Sequence, residues 1–204
     1  MSEALIRRRE ELRVALCQQD PVQLASQVGA ECVVRVSGEY DLRCRFLGET
    51  VLLHWPDLTV VNQNGDELPV LFGALLYYYF HTGDGTPLTG RRVSFAELPD
   101  GRTYSQAFQG YTGSELVKVF GDDIGSLKEA CQELDGQPLD IGQASYLFQA
   151  LPRMPIQLVY WLGDEDFPST ANLLFDENAC HYLPVDGCAI LGSLLTRKLI
   201  RLKE

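Results

Sequence analysis

The 204-residue chain is 46% apolar and 22% charged, the composition of a folded globular protein rather than a disordered one. Its net charge of −11 argues against nucleic-acid binding, because neutralising phosphates takes a basic surface. The longest apolar run, Val70 to Phe80, is half of the about 20 residues that a bilayer span needs, and Met1 to Glu10 lacks an export-type apolar core, so a cytoplasmic protein without membrane contact is expected.

In chain order, residues 3–18 read as a helix with Leu5, Leu12 and Leu16 on one stripe and Arg8, Arg9 and Glu11 off it. Asp20-Pro21 supplies an N-cap and first-turn proline for a second helix, with Gln23 at the capping-box position, and Gly29 stops it. Four short β-branched or alternating runs follow, at 32–36, 42–46, 51–55 and 58–61, the pattern of an antiparallel meander closed by Asn64-Gly65-Asp66.

Pro69 to Phe80 is apolar nearly all round and reads as a buried helix; Val93 to Phe95 reads as a strand. Helices are expected at 106–120 and 123–134, with Asp123 as a cap, and strands at 144–151, 156–162 and 173–175. A final helix from 186 to 201 carries Ile190, Leu191, Leu194, Leu195 and Leu199 on one face and ends in basic residues, which suits the helix dipole. Residues 1–204 are expected to form one compact α+β domain, a mainly antiparallel sheet flanked by helices, with a helical N-terminal segment at 1–29 and no internal boundary.

Phosphate-loop, dinucleotide, zinc-protease, EF-hand and nucleophile-elbow patterns do not occur, so no catalytic residue, cofactor or metal is assigned. Six cysteines in a reducing compartment, none in C-x-x-C spacing, read as thiols and not as bridges. His54 reads as a structural strand residue and His81 as a cation at a helix end. Cys180-His181 with Cys188 is the nearest thing to a metal set, but two thiols eight apart with one imidazole fall short of closely paired ligands. Two loops stand out. Thr82 to Gly90 before Arg91-Arg92 is long and polar, and Gly163-Asp164-Glu165-Asp166 follows an apolar strand; such loops often carry function. Arg91, Asp164, Glu165, Asp166 and His181 are therefore the candidate ligand-binding residues.

The runs Asp84-Gly-Thr-Pro-Leu-Thr-Gly90, Val93-Ser-Phe-Ala-Glu-Leu-Pro99, Tyr160-Trp-Leu-Gly-Asp-Glu-Asp-Phe-Pro168, Leu174-Phe-Asp176 and His181-Tyr-Leu-Pro184 resemble a bacterial and archaeal family known only as a domain of unknown function, over residue 25 to the end. The resemblance implies an anaerobic context, because members look typical of anaerobes, and some look joined to a small iron–sulfur domain like that of corrinoid iron–sulfur proteins. This chain lacks the closely spaced cysteines of such a domain, so a cluster would come from another protein.

Two function classes stay open, beside a plainer third possibility of a structural partner whose apolar Tyr-rich helix packs in an oligomer. One is a non-catalytic binding or accessory module for a protein partner or small polar ligand, linked to anaerobic one-carbon or corrinoid metabolism. The other is an enzyme acting on a small polar molecule, with its pocket formed by loops 82–92 and 163–168. Convergence of the two loops over one ionisable pocket separates them.

Overall fold

The computed structural model describes residues 3–36 and 38–203, with the side chains of residues 3–6 and 9 outside that description, so the Leu5 and Arg9 assignments lie beyond the described residues. The fold is α+β, with two open antiparallel sheets. The first is a meander in sequence order, β1 (Glu31–Val36), β2 (Glu39–Phe46), β3 (Glu49–Trp55) and β4 (Val60–Asn62). The second joins β5 (Arg92–Ser94), β6 (Gln137–Leu139), β7 (Ala144–Leu151), β8 (Met154–Trp161) and β9 (Thr170–Asp176) in the order β5-β9-β8-β7-β6.

Helices α1 (Glu3–Cys17), α2 (Pro21–Val28) and α3 (Val70–Thr82) accompany the meander. Leu12 and Leu16 of α1 are buried, as their stripe requires. The Asp20 carboxylate accepts the Val22 N–H at 2.8 Å, capping α2. Helix α3 buries most of its length because it is apolar all round, and Tyr77 and Tyr79 keep their hydroxyls satisfied on Leu58 O and Val28 O. His54 pairs with Asp41 at 2.7 Å, directly opposite it across β2 and β3.

In the five-stranded sheet, β8 is central and all of it but Trp161 is buried. Ile156, Leu158 and Tyr160 of β8 and Leu173 and Phe175 of β9 share a core with Leu191, Leu195 and Leu199 of α7 (Val185–Arg201). One contiguous core runs through both sheets. They meet where Leu47 N donates to Ala150 O at 2.8 Å and where Lys198 of α7 reaches Leu47 O and the Glu49 carboxylate.

Three expectations change. The helix anticipated at 106–120 is two, α4 (Ser105–Tyr111) and α5 (Gly113–Phe120). The Thr112 hydroxyl donates to Phe108 O, and its backbone (φ −120, ψ −91) leaves the helical region. Gly113 then sits against β9 so closely that a Cβ would lie 2.0 Å from Ala171 O. Leu58 is a left-handed turn residue before β4, not a strand start, and strand β6 follows α6 (Ile124–Glu133), where Gln-Pro-Leu gives too short a pattern to read.

The close approach at Gly113 makes a direct prediction. G113A should cost about 1–3 kcal/mol, because helix and strand would have to separate to admit one methyl group. Urea unfolding should show a lower midpoint at unchanged slope.

Candidate functional site

Helix α7 has two useful faces. Cys188, Leu191, Leu195 and Leu199, at helical spacing, are fully buried in the core. A second stripe, offset around the helix, runs through Asp186, Ile190, Ser193 and Arg197 and forms one wall of an open cleft of about 670 Å³. The facing wall is built from Phe95, Thr103, Tyr104 and Tyr111, with Leu71 of α3 completing the lining. This volume lies within the range of small-molecule sites.

The aromatic wall is continuous with the sheet. Phe95 stacks on Phe108 at 4.2 Å between ring centroids, both rings pack on Phe175 of β9, and Phe108 meets Tyr111 edge-on at 5.8 Å. Tyr111 in turn contacts Tyr104 at 6.1 Å, at the mouth. Burial, and then a hydrogen bond with Tyr104, push the Tyr111 hydroxyl up, so it stays neutral.

Charge is unevenly placed along the cleft. Asp100 and Asp186 lie by the N-terminal end of α7, and Arg197 stands eleven residues on from Asp186, about 16 Å by helical rise. Asp100 holds a left-handed backbone (φ 61, ψ 1), a strained conformation for a residue with a Cβ. The next residue must be Gly101, where a Cβ would fall 1.9 Å from Phe95 O. Arg197 is exposed, and among the described residues no carboxylate pairs with it.

None of the residues chosen from sequence lines this cleft. The structure places Arg91 and His181 at the C-terminal end of β9. Arg91 pairs with Glu177 at 2.6 Å, and His181 Nδ1 meets the Asp84 carboxylate at 2.7 Å and Thr86 Oγ1 at 3.1 Å. Asp164, Glu165 and Asp166 lie at the other end, in the exposed β8–β9 hairpin loop, with β9 between them, about 20 Å of strand. There the Asp164 carboxylate accepts the backbone N–H groups of Asp166 and Phe167 at 2.9 and 2.8 Å. The two loops do not meet over a common pocket.

The loop 82–92 has a different centre. Asp176, only 1% exposed, accepts bonds from Gly90 N at 2.8 Å, Arg92 Nη1 at 3.0 Å, Asn178 N at 3.1 Å, and Thr89 N and Oγ1 at 3.3 and 3.4 Å. Asn178 Nδ2 donates to Pro87 O, and the Tyr182 hydroxyl donates to Thr86 O. This clasp fixes the chain that leads into α7.

The cleft residues were hard to see in sequence. Tyr104 and Tyr111 are seven apart, and Asp186, Ile190, Ser193 and Arg197 recur at helical spacing, a weak second stripe beside a strong apolar one.

With this α+β fold and its lateral cleft described, comparison with known proteins gives the family. Residues 20–198 match the model of the Domain of unknown function (DUF3786) family, and the chain belongs to it. No match was found among curated proteins or among solved structures. No described helix is long and apolar enough to cross a membrane.

Two predictions concern the clasp. D176A should destabilise the fold by about 3–5 kcal/mol, since it strands Arg92 without its buried partner, and should open residues 83–91 to limited proteolysis. Asp84 is held down to about 2, first by its hydrogen bond with His181 and then by Thr86. A folded-state value below the unfolded one stabilises above the ordinary carboxylate range, and that stabilisation is lost as pH falls through the folded value. The gap in Tm between the parent and D84N should therefore hold from neutrality to the ordinary carboxylate range and close as pH approaches about 2.

Proposed function

We propose that this protein is a cytoplasmic, non-catalytic binding module whose ligand lies in the cleft along α7. The ligand class is a small, elongated, mainly apolar molecule with a cationic group. The observation that carries this reading is the cleft itself: about 670 Å³, an apolar floor, two carboxylates at one end and a lone guanidinium at the other. Asp100 and Asp186 attract the cationic group, the rings of Tyr104 and Tyr111 offer it π faces, and Arg197 repels it from the opposite end. The net charge of −11 favours encounter with a cation.

The family resemblance supplies the context carried with this proposal, anaerobic one-carbon or corrinoid metabolism, with any iron–sulfur cluster on a second protein. The enzyme reading built on loops 82–92 and 163–168 has less support, because those loops lie at opposite ends of β9.

Dansylcadaverine, an apolar fluorophore on an aminoalkyl chain, is a suitable probe. It should bind saturably with enhanced emission, while neutral dansylamide binds more weakly. D100N/D186N should weaken the amine about tenfold, about 1.4 kcal/mol, and leave dansylamide unchanged. A189W, which fills the cleft, should abolish both signals. Equal binding of amine and amide, or binding unaffected by A189W, would overturn the proposal.

A further inference from the structure

Two open sheets leave four edge strands, and three of them are closed to further pairing. Strand β4 is covered by the chain that follows it, with Leu68 N donating to Val60 O and Asn62 N to Asp66 O, both at 2.9 Å, and a bridge between Val61 and Glu67. Strand β5 is three residues long, and its Ser94 N–H is taken by the Glu97 carboxylate at 2.8 Å. Strand β6 is equally short and carries Pro138 at its centre, which has no N–H to offer. Cover, shortness and proline are devices by which sheets avoid chance edge-to-edge association. Strand β1 has none of the three. It runs for six residues, Glu31–Val36, without proline. Among the described residues its only backbone partner is β2.

The exposure of β1 follows. Val34 is 65% exposed and Val36 58%, although valine is a residue that strands normally cover. The faces of the strand are set by β2. Cys32 sits opposite Leu42 on the core side, whereas Glu31 sits opposite Arg43 and Val33 opposite Asp41 on the wet side. Arg35 falls at the bulge between Val34 and Val36, and its guanidinium leans to Asp41 at 3.7 Å, so it shares the wet face with Glu31 and Val33. The contact of Glu31 with Arg43 is also long, at 3.5 Å. Both β1 charges remain open to solvent and to further partners. Helix α3, the apolar Tyr-rich element, is spent within the core of its own chain.

We propose that β1 is a self-association edge, which pairs antiparallel with β1 of a second copy of this chain about a two-fold axis at Val33. Antiparallel strands related by a two-fold axis place residue i opposite residue j and j opposite i. Centred on Val33, the strand is self-complementary in charge. Glu31 lies opposite the partner's Arg35, and Arg35 lies opposite the partner's Glu31. With the β2 residues included, one row across the joined sheets reads Arg43, Glu31, the partner's Arg35, the partner's Asp41, alternating in sign at each step. On the other face Val34 lies opposite the partner's Cys32, which gives an exposed valine an apolar neighbour. The neighbouring two-fold registers lose the match. Centred on Cys32 or on Val34, the axis sets a valine opposite Glu31 or Arg35. The strand thus carries its own complement, and a second copy is the partner it specifies. One short strand is a small contact among protein interfaces, so a dissociation constant on the order of 10 μM is expected.

The test uses the full chain. Sedimentation velocity from about 1 to about 300 μM should show the mass rise from 22.8 kDa towards twice that value. In hydrogen exchange, the outward amides of residues 31–35 should gain protection with concentration, while those of α3 and α7 should not. E31K and R35E each set like charges opposite each other, so each alone should weaken the dimer at least about tenfold. An equimolar mixture of the two should restore it, because each mixed pair again joins opposite charges at both ends. A mass of 22.8 kDa throughout, dimerisation untouched by either variant, a mixture no tighter than its components, or protection gained at another surface would each overturn the proposal. Protection of β1 only on adding another protein, in a chain that stays monomeric by itself, would assign the edge to a foreign strand and overturn it too. The exchange pattern of the parent decides the matter even where a variant fails to fold.

Discussion

A buried carboxylate organises this molecule. An ion removed from water costs several kcal/mol unless donors replace its hydration. Asp176 is almost wholly buried at the end of a core strand, so the chain must bring donors to it. The segment 82–92 does this with two backbone N–H groups, a hydroxyl and the Arg92 guanidinium. The pairing of β5 with β9 follows, with Arg92 opposite Asp176, and so does the path of residues 177–184 into α7. The polar character of this loop is thus the donor inventory for one internal anion.

That explains what the sequence made legible and what it hid. Elements with strong local signals were plain: the capped α2, the meander, the all-apolar α3 and the long C-terminal helix each follow from period and punctuation. The break at Thr112 was hidden because it answers to β9, sixty residues away in sequence, where Gln109 Nε2 also binds Ala171 O at 2.8 Å. The setting of the candidate loop residues was hidden for a related reason. Arg91 and His181 stood out as ionisable groups in unusual loops, but each has a carboxylate partner supplied by distant chain, Glu177 and Asp84. Asp100, in contrast, belongs to none of the sequence patterns, and only the fold brings it into the lining of a cleft.

The cleft and the core occupy opposite sides of the same first turn of α7. Asp186 and Ala189 line the cleft, while Cys188 between them is buried in the core, its Sγ 3.6 Å from Leu183 O. The aromatic series from Phe175 through Phe95 and Phe108 to Tyr111 makes the facing wall stiff, and a preorganised wall loses little entropy when a ligand settles against it.

The division of α7 into two stripes has an evolutionary consequence. Positions 188, 191, 195 and 199 answer to the core, where a lost methylene is felt throughout the packing. Positions 186, 193 and 197 line the cleft outside the core, and Ile190 between them also packs on the core's edge. Substitutions on the second stripe can therefore accumulate with little cost to folding, and lineages sharing this scaffold are free to drift toward different ligands. Within such a family, chemical preference would diverge along one helix face while the buried face, about half a turn away, stayed nearly constant.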